Sequence, residues 1–166
     1  MNVLENLEKE PSGIYSIRFQ DCDPMGHLNN ARYLDYILNA REDHLEKYYD
    51  MRLRDFISTG AGWVAANHDI YYLKPAGYNE KIKIQTSLID SGDSHIIIES
   101  LVSDAEGRLA KALIWTRFVF VNVKTGRKEN HSAELLDFFR QIKNEKVSFT
   151  EGSKTRVKQL LAAEKQ

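Results

Sequence analysis

The side chains best suited to chemistry crowd into one stretch of the 166-residue chain: Asp21, Cys22 and Asp23, then Pro24, Gly26 and His27, then Asn29 and Asn30. A carboxylate can take a proton from water, and the start of a helix offers backbone N–H groups with no partner of their own. Acyl transfer needs that pair, a base for water and donors for the oxyanion that develops on the carbonyl. Asp21 and Asp23 are two residues apart, so on extended backbone both point the same way, and pattern alone does not choose between them. The plainer reading of a carboxylate here is a partner for the helix dipole, worth about 0.3–1 kcal/mol. Gly26 permits close approach of a ligand, or simply a turn. His27 in a short polar loop serves structural hydrogen bonds more often than it serves as a base. Cys22 has no activating partner in the sequence. His44, His68, His95 and His131 are scattered without ligand spacing, so no metal site is expected. There is no Gly-x-Ser-x-Gly elbow, no phosphate loop and no Gly-x-Gly-x-x-Gly.

The flanking pattern says what must position these residues. Tyr15, Ile17 and Phe19 alternate with Ser16, Arg18 and Gln20, which predicts a strand over about 14–19. Residues 30–49 hold no proline or glycine, and Leu34, Ile37, Leu38, Leu45 and Tyr48 recur at helical spacing, with Arg41 breaking the stripe. Asn29 or Asn30 suits the N-cap. A short helix at 51–58 and strands at 62–74, 81–89, 94–103 and 109–123 follow, joined largely by hairpin-length turns. The order is strand, helix, then four strands: an α+β domain with an antiparallel sheet against one long helix.

At this point the chain resembles a known family. Asp21-Cys22-Asp23-Pro24-Met25-Gly26-His27-Leu28-Asn29-Asn30-Ala31-Arg32-Tyr33 is similar to the signature of hotdog-fold acyl-CoA thioesterases of the 4-hydroxybenzoyl-CoA thioesterase type. Tyr72-Leu73-Lys74-Pro75-Ala76 resembles that family's second motif. The resemblance covers roughly residues 13–123. It implies a hotdog fold, with the sheet wrapped around the helix, and hydrolysis of an acyl-CoA without a cofactor. It further implies Asp23 as general base or nucleophile and the Asn30 backbone N–H as oxyanion donor. Gly26, His27, Asn67 and His68 are the candidate substrate-binding residues. Homodimers are implied, with pairing into tetramers left open. A non-catalytic acyl-CoA binder or sensor, and a thioesterase for acyl-carrier protein, stand as alternatives.

Composition sets bounds. A formal net charge of −1 offers no global field for nucleic acid or an anionic membrane, and no apolar run reaches the ~18 residues of a membrane span. A single cysteine excludes an intrachain disulfide, and the first residues lack a signal pattern, so the expected location is cytoplasmic. Arg108, Lys111, Arg117, Arg127 and Lys128 could meet coenzyme A phosphates, or simply charge a solvated sheet edge. The division expected is 1–130 for the hotdog thioesterase domain and 131–166 for a C-terminal helical extension of it. Within that extension, Leu135, Phe138, Phe139 and Ile142 predict a docked helix. The polar tail beyond Asn144, with a weak helical pattern near 157–163, is expected to pack loosely.

Overall fold

The computed structural model describes residues 7–166; the start of the polar N-terminal arm lies outside the described residues, and the part from 7 to 11 forms no helix or strand. Five strands form one antiparallel sheet: β1 (Ser12–Ser16), β2 (Ala61–Tyr72), β3 (Lys81–Ser91), β4 (His95–Asp104) and β5 (Ala110–Asn122), in the order β1-β3-β4-β5-β2. Strand β2 is therefore an edge, with Val64, Ala65, Ala66 and Asn67 exposed at its middle and a register shift between Ala65 and Asn67.

Helix α1 (Tyr33–Tyr49) lies across one face of this sheet. It ends where Asp50 turns left-handed (φ 52°) and donates its N–H to the Leu45 and Glu46 carbonyls. Its buried residues are Tyr33, Ile37, Ala40, Arg41, His44 and Leu45. Of the stripe expected from sequence, Ile37 and Leu45 are buried, whereas Leu38 is left 39% exposed. Beneath α1, Ile37 and Ala40 pack on Ile82, Ile84, Val102 and Ile114. A short α2 (Leu53–Ser58) leads into β2.

The C-terminal segment covers both faces. Helix α3 (Ala133–Ile142) starts at Ser132, whose hydroxyl accepts from the Leu135 N–H at 3.2 Å. It lies on the α1 side and buries Phe139 and Ile142 against Leu88, Ile96 and Ile98. The chain then passes the open end of β3, where the Asn144 N–H donates to the Leu88 carbonyl at 2.8 Å. Helix α4 (Ser153–Ala163) lies on the opposite face. Val147, Val157 and Leu160 pack there on Ile89, Ile97, Leu113 and Trp115. The loose tail expected from sequence is thus corrected. The helical pattern was weak because α4 touches the sheet with only a narrow apolar strip. A buried ion pair does the rest: Arg156 holds Glu99, 1% exposed, through both Nε and Nη2 at 2.9–3.2 Å. Glu99 also accepts from the Trp115 indole N–H at 2.9 Å.

Candidate active site

The signature stretch folds as a tight clamp between β1 and α1. A 3-10 turn at Phe19–Asp21 ends the first strand early, leaving Phe19 79% exposed instead of in a strand face. The chain then doubles back on itself: Cys22 bridges Leu28, and the Asp23 N–H donates to the His27 carbonyl at 2.7 Å. Gly26 sits at the tip with φ +78°, a conformation that glycine takes without steric cost. Asn29 caps a second 3-10 turn, Asn30–Arg32, by accepting from the Ala31 N–H at 3.0 Å, and α1 follows directly.

The second motif is the other jaw. The Ala76 carbonyl accepts from the Leu28 N–H at 2.7 Å, the Gly26 carbonyl accepts from the Tyr78 N–H at 2.9 Å, and His27 bridges Gly77. Tyr72 donates its hydroxyl to the Asn30 carbonyl at 2.9 Å and meets the Tyr33 ring edge-on at 5.2 Å between centroids. The two motifs therefore sit far apart in sequence because α1 and β2 must run out and return before they can touch.

Between the jaws opens a cleft of about 260 Å³, lined by Asp23, His27, Asn30, Tyr33, Tyr72 and Lys74 among others. One carboxylate oxygen of Asp23, Oδ1, accepts from the N–H groups of Met25 at 2.9 Å and His27 at 3.1 Å. Among the described residues nothing donates to its Oδ2. The Asn30 N–H likewise reaches no acceptor among the described residues, and it sits in the turn that opens α1, where helix N–H groups carry partial positive charge.

Asp21 is placed differently. Its carboxylate accepts from the Tyr36 hydroxyl at 2.8 Å, and that hydroxyl accepts from the Arg18 N–H at 3.0 Å. The backbone N–H groups of the loop are thus held by Asp23 Oδ1, and Asp21 takes a side-chain hydroxyl instead. Burial first, and then the neighbouring Asp23 and Asp21 carboxylates, hold the Cys22 thiol above its ordinary range, which disfavours the thiolate.

The remaining candidates are spread out. His27 lines the cleft, whereas Gly26 faces an adjoining groove beside Phe19 and Tyr78, whose rings meet edge-on at 5.8 Å. Asn67 and His68 lie back along β2 and do not line the cleft within one chain; His68 shares a 2.9 Å hydrogen bond with Thr116. Lys74 was missed. It pairs with Glu164 at the end of α4, and Glu164 also accepts from the Ala110 N–H at 2.7 Å. The Lys74 ammonium, with that N–H, holds the Glu164 carboxyl below its usual range. Of the basic residues singled out on the last strand pair, Lys111 is bound to Glu80 at 2.7 Å and the Pro75 carbonyl at 2.8 Å, and β5 is an interior strand, not an edge. Among the described residues no three His, Cys, Asp or Glu side chains converge as metal ligands, and no helix is long and apolar enough to cross a membrane.

Comparison with known proteins bears on the family and the fold. Residues 17–141 match the model of the thioesterase-like superfamily. The long-chain acyl-CoA thioesterase FadM of Escherichia coli (strain K12) is 30% identical over 128 residues, which are 76% of this chain and 94% of FadM. The crystal structure of the probable thioesterase YbaW from Escherichia coli superposes with a TM-score of 0.68 at 25% identity, over 80% of this chain and 98% of that one. The fold is shared as well with the DHNA-CoA thioesterase of Staphylococcus aureus, at a TM-score of 0.71 and 17% identity over 80% and 87% of the two chains. The match extends through most of α3, beyond the limit near Val123 expected from the motifs, and stops before α4. The chain therefore belongs to the thioesterase-like superfamily and carries its hotdog fold.

Proposed function

We propose that the chain hydrolyses an acyl-CoA thioester to the free acid and coenzyme A, with the thioester carbonyl bound in the cleft between the two motifs. The observation that carries this reading is one cleft holding a carboxylate oxygen and a helix-start N–H that both lack partners among the described residues. Oδ2 of Asp23 takes a proton from water as the water oxygen adds to the carbonyl carbon, or adds to that carbon itself to give an anhydride that water then opens. In either course the oxyanion forms against the Asn30 N–H, a kind of donor whose removal typically costs about 2.7–4 kcal/mol. The C–S bond then breaks. In the first course coenzyme A leaves with the proton that Asp23 took from water. In the second its departure is what gives the anhydride, the thiolate taking a proton from solvent before water opens the anhydride. Lys74 and His27 border the path of the leaving group.

The working unit in this reading is a two-fold dimer joined along β2. A long open edge is an association hazard unless covered, and here the exposed Ile57, Val64 and Leu38 lie along that side. Antiparallel pairing about the exposed middle of β2 brings Asn67 and His68 to the seam. It also sets the Tyr72 end of one strand beside the start of the other, so each cleft is completed by the second copy.

Release of free thiol from a panel of acyl-CoAs tests the reading. Turnover by the wild-type protein, lost in Asp23→Asn, is the expected result. Tight acyl-CoA binding without thiol release would overturn it in favour of a carrier or sensor. Turnover of acyl-carrier protein alone would move the substrate to that class.

A further inference from the structure

A second concavity, of about 200 Å³, lies on the α1 side of the sheet between α1, α2, the start of β2 and α3. Its wall is largely aromatic and aliphatic, with Leu45, Phe56, Trp63, Phe118 and Phe138 among the lining residues, and the exposed Glu42 borders it. Arg41 lines it too, in the middle of α1 and only 9% exposed. Among the described residues no carboxylate lies within ion-pairing distance of this guanidinium and no acceptor takes a hydrogen bond from it. Nor does it rest on an aromatic ring; the cation–π contact among these residues belongs to Lys47 over Tyr48. The contrast with Arg156 is direct, since that sheltered guanidinium has Glu99. Desolvation pulls the Arg41 pKa down to about 10, which leaves it a cation at neutral pH. A sheltered guanidinium without a protein partner among the described residues is one that a bound anion would stabilise.

The cavity is in place to serve a cleft. Within one chain, the Trp63 and Tyr72 ends of β2 are roughly 30 Å apart along the strand. Pairing two copies of β2 antiparallel brings the Tyr72 end of one beside the Trp63 end of the other. A tail leaving the Asp23 cleft of one copy then enters the cavity of its mate.

We infer that this cavity takes the tail of the acyl group, and that Arg41 selects tails bearing an acceptor oxygen remote from the thioester, a carboxylate above all. This rests on the thioesterase reading above and names the substrate class within it. A mostly apolar wall with Arg41 sheltered inside it, and the Glu42 carboxylate exposed to solvent at its border, suits an acyl chain that is greasy along its length and anionic at its far end.

The test compares plain and ω-carboxylated acyl-CoAs of equal length, with wild type and Arg41→Met, which keeps most of the apolar stem. A charge-assisted hydrogen bond in a desolvated site is expected to favour the ω-carboxylated substrate by about tenfold or more in kcat/KM. Arg41→Met should abolish that preference, chiefly through KM. A wild-type preference for the plain chain, or an undiminished preference in Arg41→Met, overturns the inference and leaves the thioesterase reading standing. If no thioester is hydrolysed, that reading falls, and calorimetry with a free medium-chain fatty acid decides on Arg41 separately. Binding about tenfold weaker in Arg41→Met supports the anion site, and equal binding overturns it.

Discussion

In the proposed reaction Asp23 divides two tasks between its two oxygens. Oδ1 ties down the loop through Met25 and His27, while Oδ2 has no donor among the described residues, on a side chain that lines the cleft. An asparagine can keep the first task with its carbonyl oxygen and cannot perform the second. Asp23→Asn is therefore expected to lose about 10²-fold or more in kcat with little change in melting temperature. Asp21→Asn should cost less turnover, because its carboxylate is engaged by Tyr36 rather than by the cleft. Kinetics and thermal melts on both variants check this, and equal losses in kcat would remove Asp23 from its assigned role. His44 gives a second prediction. It is 1% exposed, shares a 2.7 Å hydrogen bond with Thr86, and leaves Nε2 buried without a partner among the described residues. Burial, reinforced by the nearby Arg41 charge, lowers its pKa to about 4 from the ordinary 6.5. The unfolded chain thus binds the proton first. The stability from keeping this ring neutral is intact above pH 6.5 and is lost as pH falls towards 4, by about 3 kcal/mol in full. Denaturant midpoints measured across that range should fall more steeply for wild type than for His44→Gln.

Among the elements, the sheet and α1 were legible because their signals are local. Alternation marks the strands, and the absence of proline or glycine from 30–49 marks the helix. What escaped depended on partners remote in sequence. Both faces of β4 are covered, since α4 returns to its outer side, and alternation along the strand does not show this. No local pattern marks Glu99 as buried, because its partner Arg156 is 57 positions away. The site divided in the same way. Asp23, His27 and Asn30 were legible as one contiguous motif, whereas Lys74 and the Tyr72 clamp needed the fold to bring them there. The energetic consequence falls on α4. Arg156→Met, which strands the buried Glu99 charge, is expected to lower stability by about 3–5 kcal/mol, and adding Glu99→Gln should recover much of that. Truncation after Lys143, harmless on the sequence reading, should instead lower the melting temperature and alter KM, since it uncovers Trp115 and releases Lys74 from Glu164. An unchanged melt after that cut would show that α4 carries no weight.

For the molecule as a whole, the β2 edge and the covered outer face set what can associate. A dimer along β2 should bury well over ~1,000 Å². Face-to-face stacking of two sheets into a tetramer is disfavoured, because α4 occupies the face it would use. Light scattering is expected to give a dimer for the full chain. In the proposed dimer, where each cleft borrows the second copy's cavity, mixing Asp23→Asn with a cavity-blocked Trp63→Arg variant should recover turnover that neither has alone; failure to complement would place cleft and cavity in independent sites. The sheet itself separates the two tryptophans of the chain. Trp63 lies on the α1 side, packed on Phe56 and Phe120 with its N–H on His131, while Trp115 lies under α4 with its N–H on Glu99. The protein thus carries one intrinsic fluorophore per layer. Filling of the cavity should change the emission of Trp63, and undocking of the C-terminal helix that of Trp115. Single Trp→Phe variants would turn the two events into two separate colours of the same spectrum.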